Sequence, residues 1–343
     1  MSKPITTIRA LLTIYAVLIV AIPAQAQNIE EFYAGKTVSL YIGSTVGGGY
    51  DAYGRLVARH IGKYIPGNPT IVPLNMEGTG SLRLANWLYE AAPQDGTVFA
   101  LLNRGLAFVP LLGEQQFAQF DAKAFNWMGS ASDDVSLCIA HTRTGLTRFE
   151  QLYDQELIVG NTGPGADGSF MTNVVGSLLG ARLRAVTGYP GGNEIYLAIE
   201  QGEVDGMCGI AWSALKTARP QWLEDGTVNI LVQLGLRERP DLSDIPSVMD
   251  LPLNPEEQQI LRLIMLRGYF GRPFAAPPNV PTARAAVLRD AFAQSLSDPQ
   301  LLREAAQLRI EIGAVSGERL DELLIEAYAT QPELVERARE LLN

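Results

Sequence analysis

Three glycine-rich stretches hold the residues of this chain best suited to chemistry. The first is Gly43-Ser44-Thr45-Val46-Gly47-Gly48-Gly49, followed by Tyr50-Asp51. The second is Asn161-Thr162-Gly163-Pro164-Gly165-Ala166-Asp167-Gly168-Ser169, and the third is Gly188-Tyr189-Pro190-Gly191-Gly192-Asn193. Each follows a β-rich run and opens a helical pattern. Glycine lets the backbone approach a ligand closely, and a helix N-terminus offers unpaired N–H groups with partial positive charge. Short polar side chains at Ser44, Thr45, Thr162, Ser169 and Asn193 add oriented donors. Such loops can hold a carboxylate without a cation. Arg104 follows a strand end, where a guanidinium could clamp a carboxylate through two parallel bonds.

Other chemistries do not fit the spacing. Gly43 to Gly49 lacks G-x-G-x-x-G, and no Gly-Lys-Ser/Thr follows for a phosphate loop. No G-x-S-x-G, H-E-x-x-H or C-x-x-C occurs. His60, beside Arg59 in a helical run, reads as a surface residue, and His141 as a structural strand end. Asp51, Asp167 and Asp205 would form carboxylate pairs only if their loops converge. Helix capping is the simpler role for Asp51 and Asp167. A hydrolase built on Asp51 and Asp205 is therefore disfavoured, and the chain reads as a non-enzyme that needs no cofactor.

Strands alternating with helices position these loops. Thr37–Ile42, Thr70–Asn75 and Thr97–Leu102 are β-rich, with helices over Ala52–Tyr64 and Ser81–Ala91 between them. Trp127–Ser130 and Val135–His141 form the next extended stretch. Leu157–Gly160, Arg184–Thr187, Val204–Cys208 and Val228–Leu234 are further strands, and the chain is mostly helical from Pro255. This pattern means an α/β fold with mainly parallel pairing. In such folds ligands sit beyond the carboxyl ends of the strands, where all three loops lie.

The chain has 343 residues, 47% of them hydrophobic, a net charge of −10 and two cysteines. That length suggests about two domains. Its acidity excludes an extended nucleic-acid surface. Residues 1–26 read as a secretory signal peptide: Lys3 and Arg9, the apolar run Ala10–Ala24, then Ala24-Gln25-Ala26 for cleavage after Ala26. The mature chain would begin at Gln27 and reside in the periplasm. Cys138 and Cys208 would meet oxidising conditions there, as one disulfide or as two buried thiols. Their strand-like surroundings favour the thiols.

The run Phe32-Tyr33-Ala34-Gly35-Lys36-Thr37-Val38, then Val46-Gly47-Gly48-Gly49-Tyr50-Asp51, resembles the start of a tripartite tricarboxylate transporter receptor, the Bug family of periplasmic solute-binding proteins. The resemblance continues through Pro66-Gly67-Asn68-Pro69, Asp95-Gly96-Thr97, Gly163-Pro164-Gly165, Gly188-Tyr189-Pro190-Gly191-Gly192, Gly202-Glu203-Val204-Asp205 and Gly271-Arg272-Pro273-Phe274. It implies a type II periplasmic binding fold, a "Venus flytrap" of two α/β lobes with a hinge. Residues 27–130 and 235–343 would form the first lobe, and 131–234 the second. The ligand would lie between them. One carboxylate would be held by Ser44, Thr45, Gly47, Gly48 and Tyr50, largely through backbone and water. The second lobe would add Thr162, Gly163, Gly165, Asp167 and Ser169, and Tyr189, Gly191 and Asn193. Asp205 would meet the ligand's far end.

Some positions depart from the family's usual pattern. Asn161-Thr162-Gly163 stands where Ser-Ser-Gly is more usual, and Tyr189-Pro190 where Tyr-Lys is. Arg104 and Cys208 are unusual at their places. Asp167 disfavours a polycarboxylate unless it caps its helix. The expected function is monomeric capture of a small organic acid for delivery to a membrane permease. The alternative is a sensor that presents its closed form to a membrane histidine kinase.

Overall fold

The computed structural model describes residues 29–113, 115–163, 166–236 and 239–342. The expected signal peptide and Gly165 lie outside them.

In Thr37–Ile42 (β1) the β-branched and apolar residues alternate, and Val38, Leu40 and Ile42 point into the core. Thr70–Asn75 (β2) and Val98–Leu101 (β3) pair parallel to β1 on its two sides. Gly49–Ile61 (α1) crosses back over this sheet. It buries Tyr53, Leu56, Val57 and Ile61 at helical spacing. Gly54 makes the close packing possible, because a Cβ there would sit 2.6 Å from Ile42. Leu82–Glu90 (α2) leads from β2 to β3.

Two strands then part company. Asn126–Ser130 (β4) stays in the first sheet, whereas Ser136–His141 (β5) opens a second. Leu157–Asn161 (β6), Leu183–Thr187 (β7), Gly206–Ala211 (β8) and Val228–Leu234 (β9) complete the second sheet in the order β7-β6-β8-β5-β9. Its helices include Asp167–Asn173 (α3), Gly192–Gln201 (α4) and Trp212–Ala218 (α5). The chain then returns to the first sheet through Pro273–Ala276 (β10) and Val315–Ser316 (β11), which gives the order β11-β4-β10-β3-β1-β2.

The expectation of mainly parallel pairing is corrected. β10 runs antiparallel to β3 and β4, and β5 runs antiparallel to β8 and β9. The strands next to the crossings enter their sheets from the other lobe, so they run against their neighbours. The extended segments expected at Trp127–Ser130 and Val135–His141 are β4 in the first sheet and β5 in the second.

A continuous apolar cluster joins the lobes. It holds Phe108, Trp127 and Phe270 together with Phe170, Met171, Leu231 and Leu234. The C-terminal helix Pro332–Leu342 adds Val335, Ala338 and Leu342 to it. None of the described helices is long and apolar enough to cross a membrane.

The cysteine expectation is also corrected. Cys138 and Cys208 face each other across β5 and β8 and are joined in a disulfide. His60 is not a surface residue: it lies between Asp298 and Glu304, its Nε2 2.7 Å from the Glu304 carboxylate. His141 is structural, as expected, and its Nδ1 accepts the Arg143 N–H.

Candidate functional site

The loop after β1 turns at Gly47, whose φ of 81° suits only glycine comfortably. It then enters α1. Gly48 is the residue before the helix, so Asp51 is not the N-cap expected from its position. Its carboxylate instead reaches back to the Gly47 N–H at 2.8 Å and takes bonds from Arg55 and Asn75. Asn75 also holds the Ser44 carbonyl at 2.8 Å. Asp51 therefore fixes the loop, and the free N–H groups in the first turn of α1 point outward from the strand end.

Burial pushes the Asp51 carboxyl up, and the bonds from Arg55, Gly47 and Asn75 outweigh it and hold its pKa below the ordinary range. A lowered pKa means stability present above the unfolded value and lost as pH falls through the folded one. The thermal midpoint should thus fall as pH drops below about 4, and Asp51→Asn should remove part of that fall. Equal acid sensitivity of the two proteins in a melting series would contradict this role.

Facing this loop across a cleft are the helix starts of the second lobe. The cavity between them measures about 90 Å³. Ser44, Gly48, Tyr50 and Arg104 line it from the first lobe, and Thr162, Asp167 and Gly191 from the second. The starts of α1, α3, α4 and α5 all border it. Gly209 (φ 88°) lets β8 lie directly on Gly168 at the start of α3.

The remaining expected residues sit elsewhere. Thr45 and Gly47 are at the rim, where Thr45 Oγ1 lies 3.4 Å from Glu194 of the other lobe. Asn193 is also there, facing Gly47. Gly163 and Ser169 bond to each other, the Ser169 hydroxyl donating to the Gly163 carbonyl at 2.7 Å. The Tyr189 hydroxyl lies 3.5 Å from Glu203. Asp205, at the far end of β8, pairs with Arg143 at 3.3 Å. Asp51 and Asp205 are thus held by different arginines and form no pair.

Asp167 does not cap its helix either, because Ala166 holds that position. The carboxylate is buried between two guanidinium groups. Arg104 Nε is 3.6 Å away and Arg267 Nη1 3.3 Å. The Ser136 hydroxyl donates to it at 2.6 Å. Burial works against the charge on Arg104, but Asp167, Tyr50 and Asp134 together more than offset it and its pKa is raised. For Arg267 burial wins, and its pKa falls to about 10. Arg267 also stacks on the Phe170 ring, 3.9 Å from its centroid. Arg104 is therefore at the cleft, as its strand-end place suggested, but part of its charge is spent on Asp167.

Sequence reasoning missed Arg272. It lines the cleft, is fully buried, and lies just before β10. The Gly271-Arg272-Pro273 run was its one signal. Gly271 leaves no room for a Cβ, because Ser132 O lies against it. Outside the cleft, Glu311 of the first lobe bridges to Lys216 of the second, and it also pairs at 3.0 Å with Arg239.

No protein-family model and no curated protein matches the chain. Solved structures do. One is the periplasmic binding protein BugD, with a TM-score of 0.69 and 19% identity over 90% of this chain and 98% of that one. Another is MatC from Rhodopseudomonas palustris with bound malate, at 0.67 and 20% over 90% and 99%. A third is R. palustris Rpa4515 with adipate, at 0.69 and 18% over 88% and 97%. The likeness extends over nearly the whole described chain, and the two α/β lobes have the fold of the periplasmic binding proteins.

Proposed function

We propose that the chain is a periplasmic solute receptor of the tripartite tricarboxylate transporter type. It captures a small organic acid between two lobes, residues 27–130 with 235–343 and residues 131–234, and delivers it to a membrane permease. The observation that carries this reading is the cleft itself: helix starts from both lobes converge on a small space lined by buried arginine. Structures of the same fold hold malate and adipate. The Asp51 and Asp205 carboxylates are each bonded to their own arginine, which favours binding over hydrolysis. A ligand touching both lobes would stabilise their closed arrangement.

Ligand binding to the folded state alone raises stability by about 2.7 kcal/mol at a hundredfold excess over Kd. For a chain of this size that is a thermal shift of roughly 4 °C. Gly48→Trp tests the placement. A Cβ at Gly48 meets nothing closer than 3.6 Å, so the fold tolerates a side chain there while the indole fills the cleft. The variant should melt near the wild type and lose the shift given by the best acid. A full shift in the variant would remove the ligand from this cleft.

A further inference from the structure

Arg272 is an ion-pairing group with no ion to pair with. Its side chain is fully buried. Among the described residues no carboxylate lies within ion-pairing distance of it. Nη1 donates to the neighbouring Gly271 carbonyl at 2.6 Å, and Nη2 to the Ser213 hydroxyl at 3.2 Å. Nε has no acceptor. The ring centroids of Tyr50 and Tyr53 lie 4.5 and 4.8 Å from the guanidinium carbon. They offer the cation π-faces, not hydrogen-bond acceptors. A guanidinium carries five N–H donors, so several remain for a partner.

We propose that Arg272 receives the carboxylate of the bound acid, together with the first turn of α1 at Gly49. This rests on the receptor reading given above. Three observations converge on it. The guanidinium borders the cleft. A Cβ on Gly49 would stand 3.4 Å from Nη2 and 3.1 Å from Ala214, so only glycine leaves the helix start and the guanidinium open to one shared anion. Finally, the local charge does not balance. Arg104, Arg267 and Arg272 are buried against Asp134 and Asp167. Asp134 is already bonded to the Ser213 backbone N–H and hydroxyl, and it reaches Arg272 only through that hydroxyl. One buried positive charge is left over, and a buried charge is tolerated only when it is paired.

The inference assigns a class of ligand: an acid that brings a single carboxylate to this cluster. A second acidic group would have to lie away from it, towards solvent. Arg272 and Gly49 both belong to the first lobe, and Arg272 already bonds to Ser213 of the second, so the carboxylate would bind beside an existing contact between the lobes.

The test uses the mature chain and a probe panel of acetate, lactate, malate, adipate, the matching amides, sulfate and inorganic phosphate, read by calorimetry. The wild type should bind at least one acid and reject its amide. Arg272→Gln should weaken that acid by roughly 100-fold, the scale for losing one member of a buried charge pair. Arg272→Lys should recover part of the loss, because the charge returns without the planar fork. If Arg272→Gln does not fold, the wild-type complex decides in a crystal structure: a ligand carboxylate oxygen within about 3 Å of an Arg272 nitrogen supports the assignment. A carboxylate bound elsewhere, or equal affinity in Arg272→Gln, overturns it and leaves the receptor reading intact. Sulfate or phosphate binding as tightly as every acid overturns the carboxylate class. A wild type that binds no member of the panel overturns both the assignment and the receptor reading.

Discussion

Asp167→Asn is expected to destabilise the protein by about 3–5 kcal/mol, the cost of removing one partner from a buried ion pair. The Asp167 carboxylate is 3% exposed and lies within 3.6 Å of both Arg104 and Arg267. An asparagine keeps the shape and the bond to Ser136 but leaves two buried guanidinium groups facing each other. Arg104 belongs to the first lobe and Asp167 to the second, so the substitution also loosens the contact between lobes. The Asn103 side chain, which accepts the Asp167 N–H at 3.1 Å, cannot compensate for charge. Urea unfolding should show a lower midpoint, and thermal melting a fall of roughly 5–8 °C. Asp205→Asn provides the contrast. Its pair with Arg143 is partly exposed and should contribute no more than about 1 kcal/mol. Equal effects of the two substitutions would mean that burial of the Asp167 cluster is not what makes it costly to break.

Loss of the Cys138–Cys208 disulfide is the second large expected effect. The two residues are separated by 70 positions and are fully buried. Closing a loop of that length in the unfolded chain corresponds to about 4 kcal/mol in the chain-entropy model. Cys138→Ala/Cys208→Ala should therefore melt well below the wild type, and reduction under denaturing conditions should have the same effect on refolded protein. The bridge joins β5 to β8, and β8 runs straight to the cleft residues Gly209 and Ala211. Ligand affinity should accordingly fall together with stability. Thiol titration of the unfolded wild type should find no free thiol. Two free thiols would contradict the bridge.

How far the sequence could be read depended on the distance between cause and effect along the chain. The β1–loop–α1 unit was legible because strand alternation, glycines and helical spacing are all local. Ser44, Gly48 and Tyr50 followed from it and do line the cleft. Arg104 was legible as a cation at a strand end. Its partner was not, since Asp167 comes from the other lobe. Asp51 and Asp167 both looked like caps by position. Their carboxylates instead answer arginines, and for Asp167 those stand 63 residues before it and 100 after. The disulfide escaped because pairing β5 with β8 requires the topology of the second sheet. Arg272 escaped for a related reason. It reaches the cleft only because β10 returns from the other lobe and lies between β3 and β4. The net charge of −10 says nothing of where single arginines lie. Local charge is what matters in a buried cleft, and there three arginines face two aspartates.

The most direct test of the central claim is calorimetric titration of the mature wild-type chain with malate, adipate and shorter acids. The account predicts saturable binding with a stoichiometry of one for at least one acid, lost in Gly48→Trp. Absence of binding across the series, or binding unchanged by the filled cleft, would contradict it.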